Sequence, residues 1–176
     1  VARYASPGPQ GGQYECPVGQ IELDKSSRKL TIKVAPDLRW SAGTATLSGY
    51  DVALRLLAMA DRGDPAYREG WARALDGLQV MGVYGVEISL ARPCLRPERW
   101  LQTYVLPYTD PSLLDQPGVG GGPYARHSQS DEETRYVLNE QFGGAAAEGR
   151  PHEIAEHHFR EKGKALAALR QGRIQV

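Results

Sequence analysis

The chain has 176 residues, 41% hydrophobic and 24% charged, which suits one globular domain or two small ones. Its 21 Lys and Arg offset 21 Asp and Glu, so the formal charge is zero and gives no support for a nucleic-acid or polyanion partner. No apolar run approaches the roughly 20 residues needed to span a bilayer, and the segment from Val1 to Pro9 lacks the apolar core of a signal peptide.

Residues 1–13 are rich in Pro, Gly and Gln and read as a tail or loop. Ile21 and Leu23 alternate with polar neighbours, Asp24 to Ser27 reads as a turn, and Arg28 to Val34 returns, which predicts an antiparallel hairpin. Pro36 and Asp37 break the second strand. Trp40 and Gly43 follow, and Ser48 offers an N-cap oxygen to a helix over residues 49–61. Val52, Leu56 and Met59 share one face of that helix, with Ala53, Leu57 and Ala60 beside it. A shorter helix is expected from Ala66 to Ala74, with Tyr67, Trp71 and Leu75 at helical spacing as a core stripe.

Leu78 to Val80 and Tyr84 to Leu90 read as strands joined around Gly82. Pro97 suits a first helical position, which predicts a helix over Glu98 to Tyr104 that Pro107 closes. Residues 109–123 read as loop, and Tyr124 opens a hairpin whose turn is Ser130 to Glu133 and whose return is Arg135 to Asn139. Phe142 to Gly149 is loop, Pro151 to Phe159 a strand, and Lys162 to Arg170 a helix with Ala165, Leu166 and Leu169 inward. The fold class is mixed α and β (α+β), built of β-hairpins with packed helices.

Catalytic and metal motifs fail on spacing. His152-Glu153-Ile-Ala-Glu156 puts Glu where a zincin needs its second His, and the inverted form needs His at 153, where Glu stands. On a strand, His152, Glu156 and His158 share a face, which leaves open a zinc-dependent hydrolase using His152, His157 and His158. Gly118-Val-Gly120-Gly121-Gly122-Pro123 has Pro at the sixth position of a dinucleotide fingerprint and no Gly-Lys-Ser/Thr. Its glycines instead allow close backbone approach to a ligand. There is no Gly-x-Ser-x-Gly elbow, and Cys94 has no helix start beside it to make it a reactive thiolate. Cys16 and Cys94 could form one disulfide or stand as unrelated buried thiols. No catalytic residue, metal ligand or cofactor is assigned.

The order of strand, Trp40, Gly43 and the helix start Ser48-Gly-Tyr-Asp51-Val52 resembles the extracellular solute-binding proteins of the peptide and nickel class (family 5), with Lys33-Val34 standing for a Leu-Arg strand end. Gly120-Gly121-Gly122-Pro123-Tyr124 is similar to that family's Gly-Thr-Gly-Pro-Tyr, and Leu90-Ala-Arg-Pro93 to its Leu-x-x-Pro. Pro151 to Phe159 is similar to its Pro-x-Ile-x-x-Ile strand, with His157 and His158 in later apolar positions. The segment from Gln171 to Val176 is similar to its last motif, with Gln175 replacing Asp.

The resemblance implies a fragment of a periplasmic-binding-protein type 2 fold. Residues 1–118 would be the inserted smaller domain and 119–176 the first return segment of the main lobe. It further implies a non-catalytic substrate-binding component of an ABC importer, capturing a peptide, nickel or another small solute outside the membrane, periplasmic or extracellular, by lobe closure. Its partners would be the solute and the permease subunits, and it would be monomeric. Trp40, Gly120, Gly121, Gly122 and Tyr124 are the ligand-binding candidates on this reading. A ligand-sensing module of a regulatory protein is the alternative. The chain lacks an initiator Met, so a longer parent is expected.

Overall fold

Two hairpins build the main sheet. β3 (Gly19–Leu23) pairs antiparallel with β4 (Lys29–Val34), and β5 (Leu75–Met81) pairs with β6 (Gly85–Leu90). β4 and β6 join them, giving the order β3-β4-β6-β5. This computed structural model describes residues 1–8, 11–42, 45–108, 111–114, 119–140, 142 and 151–175.

The period-2 pattern sets the register. Leu30 lies opposite Ile88 and Ile32 opposite Val86, so one face carries an unbroken apolar row, all of it buried. Onto that face packs α1 (Gly49–Ala58), shorter than the expected 49–61; its Val52 and Leu56 and its C-cap Met59 are fully buried. Full burial of each such side chain stabilises by about 1.5–3 kcal/mol. Ser48 starts α1 with a capping box: Asp51 N–H donates to the Ser48 hydroxyl, and the Asp51 carboxylate accepts from Ser48 N–H at 2.9 Å. α2 (Glu69–Ala74) follows, and its Trp71 is buried with Nε1 donating to the Leu56 carbonyl at 2.8 Å.

Beyond this layer lie α3 (Pro111–Leu114), a three-stranded antiparallel sheet of β7 (Tyr124–Gln129), β8 (Glu133–Leu138) and β9 (Glu153–His157), and α4 (Lys162–Arg170). No helix among the described residues is long and apolar enough to cross a membrane.

Several expectations are corrected. Residues 1–13 are not wholly a tail: β1 (Arg3–Ser6) pairs with β2 (Gln13–Glu15), held by the Tyr4–Tyr14 ring contact and an Arg3–Glu15 ion pair at 2.7 Å. The short helix begins at Glu69 rather than Ala66, and Leu75 has already entered β5. The helix expected over Glu98 to Tyr104 is only a 3₁₀ turn, Pro97–Arg99. Trp100 and Leu101 N–H close i−3 bonds to the Pro97 and Glu98 carbonyls, and the Arg99 carbonyl that would continue an α-helix accepts from the Gln102 side-chain amide at 3.1 Å. Thr103, Tyr104 and Val105 also favour extended backbone. The loop expected over 109–123 contains the one-turn α3. Leu57, counted beside the apolar face of α1, is exposed, as are Leu166 and Leu169, expected to point inward from α4. Ala168 is the buried residue of α4, whose larger apolar side chains Leu166 and Leu169 are left uncovered among the described residues. Most of the Phe142 to Gly149 loop, together with Gly43, Gly118 and Val176, lies outside the described residues.

Candidate functional site

Trp40 sits in a tight excursion between β4 and α1. Leu47 N–H donates to the Leu38 carbonyl at 3.0 Å, Trp40 N–H to the Ala45 carbonyl at 3.3 Å, and Arg39 bridges Thr46. Pro36 and Asp37 end β4, so the chain can turn back and drive the indole inward; Trp40 is 1% exposed. Its Nε1–H is buried with no hydrogen-bond partner among the described residues. An orphaned buried donor costs about 1–3 kcal/mol, so this one is an unmet demand for an acceptor.

The glycine segment closes on the same place. Ser41 N–H donates to the Gly120 carbonyl at 2.9 Å, and Gly120 N–H donates back to Ser41 Oγ at 3.0 Å. Gly121 lies flat against the indole: a Cβ there would stand 3.7 Å from Trp40 Cζ3 and 3.3 Å from Leu47 Cδ1. The Asn139 side-chain amide donates to the Gly122 carbonyl at 2.9 Å, and Asn139 N–H to the Pro123 carbonyl at 2.8 Å, which fixes the exit toward β7. The glycines place backbone, with no side chain in the way, beside an aromatic wall.

Trp40 and Gly120 to Gly122 line one cavity of about 350 Å³, within the range of small-ligand sites. Tyr124, the fifth candidate, is not part of its wall; its hydroxyl donates to the Pro151 carbonyl at 2.8 Å, which ties β7 to the start of β9. Leu47, Tyr104, Val105, Leu106 and Val119 are among the other wall residues and went unread in the sequence. The available signal was Pro107, which biases its predecessor toward extended backbone and so exposes the edge of 104–106 rather than a helix face.

The histidines do not converge. His157 Nδ1 lies 3.3 Å from Glu133, while His158 Nε2 meets Thr134 Oγ1 at 3.0 Å, and Glu156 accepts from the Tyr136 hydroxyl at 3.1 Å. That last contact raises the Tyr136 phenol above its ordinary pKa. Among the described residues no three His, Cys, Asp or Glu gather to hold a metal, so the zinc-hydrolase alternative has no site there. Cys16 and Cys94 are both free thiols, and burial pushes the Cys16 thiol up.

Neither a family model nor a curated protein matches the sequence. The fold does match solved structures. MoaA from A. tumefaciens R10, in complex with mannopinic acid, superposes with a TM-score of 0.78 at 19% identity, over 98% of this chain and 36% of that one. NikZ from Campylobacter jejuni, in complex with Ni(L-His), gives 0.76 at 17%, over 98% and 36%. The substrate-binding domain of an oligopeptide ABC transporter from Bacillus anthracis gives 0.78 at 15%, over 93% and 36%. The chain thus spans about a third of the length of these proteins. Over that third, it has the fold of an ABC-transporter solute-binding protein.

Proposed function

We propose that the chain is part of the substrate-binding component of an ABC importer, taking a peptide or another small solute outside the membrane. The observation that carries this is the meeting of an orphaned indole N–H with three consecutive glycines in one cavity, on a fold shared with proteins solved with solutes bound. Trp40 Nε1 donates to a solute carbonyl or carboxylate, and Gly120 to Gly122 let the solute main chain lie against the protein backbone. Tyr124 acts from behind, by fixing β7 to the segment that precedes β9.

No bond is made or broken. Residues 1–118 form the smaller domain and 119–176 the first return into the main lobe. Capture is completed by closure against further polypeptide, with solute selecting the closed state through contacts to both lobes. The permease subunits, the periplasmic or extracellular location and a monomeric state belong to the same reading.

A thermal-denaturation screen against tri-alanine, a mixed tripeptide pool and nickel with histidine tests it. A solute that binds only the native state raises the midpoint by mass action, about 1.4 kcal/mol of stability at ten times its dissociation constant. The rise is expected in the wild type and absent in Gly121→Phe, which fills the cavity. Equal responses in both proteins, or none in either, would overturn the reading.

A further inference from the structure

We propose that the chain carries a second ligand site, an oxyanion pocket built on Arg55. Arg55 lies on α1 and is 6% exposed, yet it forms no ion pair among the described residues. A buried cation without a counter-charge is costly, and proteins rarely keep one without use.

The guanidinium is held rather than loose. Its Nε donates to Thr103 Oγ1 at 3.0 Å, and its Cζ sits 4.3 Å from the centroid of the Tyr104 ring. Those contacts fix the orientation of the fork while leaving its two terminal nitrogens without a hydrogen-bond acceptor among the described residues. Arg55 lines a cavity of about 540 Å³ together with Arg68, Tyr67, Tyr104 and Tyr108. Arg68 is steadied by the Gln102 carbonyl at 3.1 Å. Asp64 supplies the single carboxylate of the wall among the described residues, and it already accepts from Ala66 N–H at 2.7 Å. Among the described residues, two guanidiniums therefore line the pocket with one engaged carboxylate, an excess of positive charge.

A fixed guanidinium fork matches the paired oxygens of a carboxylate or phosphate, and the tyrosines offer ring faces and hydroxyls to the body behind it. The ligand class is a small molecule ending in one such oxyanion. The pocket is distinct from the Trp40 cavity: the two share only Tyr104 and Leu106, on the extended segment that the failed helix leaves behind. The proposal therefore stands or falls apart from peptide capture.

The test is ¹⁵N NMR at constant ionic strength in chloride, titrating benzoate and, separately, inorganic phosphate while following the Arg55 Nε–Hε resonance. A saturable shift with a dissociation constant on the order of millimolar is expected from at least one probe. Saturation by benzoate alone identifies a carboxylate with an apolar body; by phosphate alone, a compact phosphate. Arg55→Gln, followed through the backbone amides of Thr103 and Tyr104 because the reporter itself is lost, should abolish the saturable response, and Arg68→Gln, at an exposed position, should weaken it about tenfold, the loss of one charge-assisted hydrogen bond. Gly121→Phe should leave it unchanged. A linear drift equal to that with chloride, or unaltered affinity in Arg68→Gln, would overturn the site.

Discussion

Ser41 and Gly120 hold each other through two hydrogen bonds, backbone N–H to carbonyl at 2.9 Å in one direction and backbone N–H to hydroxyl at 3.0 Å in the other. This pair joins the Trp40 excursion to the glycine segment and so sets the width of the cavity between them. Ser41→Ala leaves the Gly120 N–H without its acceptor. Stability is expected to fall by about 1 kcal/mol. The Gly120 amide should exchange faster with solvent than in the wild type, and unchanged exchange would show that the clasp does not form.

The turn between β3 and β4 is fastened by one carboxylate. Asp24 accepts from the Ser26 hydroxyl at 2.5 Å and from the backbone N–H of Lys29 and Arg28 at 2.9 and 3.0 Å. The Ser26 hydroxyl bond, then the backbone bonds, lower its pKa from 3.8 to about 2. Because the folded value lies below the unfolded one, the ionised carboxylate adds stability above about pH 4 that disappears as pH falls toward 2. Denaturation midpoints at pH 5 and pH 2.5 should therefore drop less for Asp24→Asn than for the wild type, with the variant already the weaker of the two at pH 5.

Gly19 opens β3 with φ +150°, and a Cβ there would lie 1.9 Å from the Lys33 carbonyl oxygen. That oxygen belongs to backbone and cannot swing away. Gly19→Ala is expected to cost about 3 kcal/mol or more, through strain and the displaced β3–β4 pairing. A urea midpoint within error of the wild type would contradict the observed register.

The two sheets should differ in local stability. β4 and β6 carry buried Leu30, Ile32, Val86 and Ile88 under α1, whereas every residue of β9 is exposed, and Phe159 just beyond it and Leu166 on α4 are exposed as well. Hydrogen exchange is expected to be slowest in β4 and β6 and fast across β9. Comparable protection in β9 would mean that its outer face is covered in solution.

Much of this was legible. The alternation of Leu30, Ile32 and Val34, the Ser48 cap and the Val52–Leu56–Met59 stripe are local signals, and each gave its element correctly. Trp40 and the glycines could be named as candidates because an aromatic beside breakers is visible in one dimension. Their meeting across about eighty positions was not, since no pattern in either segment encodes the Ser41–Gly120 bonds. The extended run after the 3₁₀ turn is likewise tied from far away in the chain, where Ala2 N–H takes the Leu101 carbonyl and Arg68 the Gln102 carbonyl. Arg55 gave no signal in the sequence, because its surroundings depend on Thr103 and Tyr104, far along the chain.

Solute capture at the Trp40 cavity is tested most directly by the indole Nε1–H resonance of Trp40, recorded in ¹⁵N-labelled chain while tripeptide is added. The proton now lacks an acceptor, so a bound carbonyl or carboxylate should move it downfield, saturably, together with the Gly121 and Gly122 amides. If this chain supplies one part of a closing cleft, as proposed, an affinity on the order of millimolar is expected, about −4 kcal/mol. An indole resonance that stays in place while shifts appear elsewhere, or nowhere, would contradict capture at this cavity.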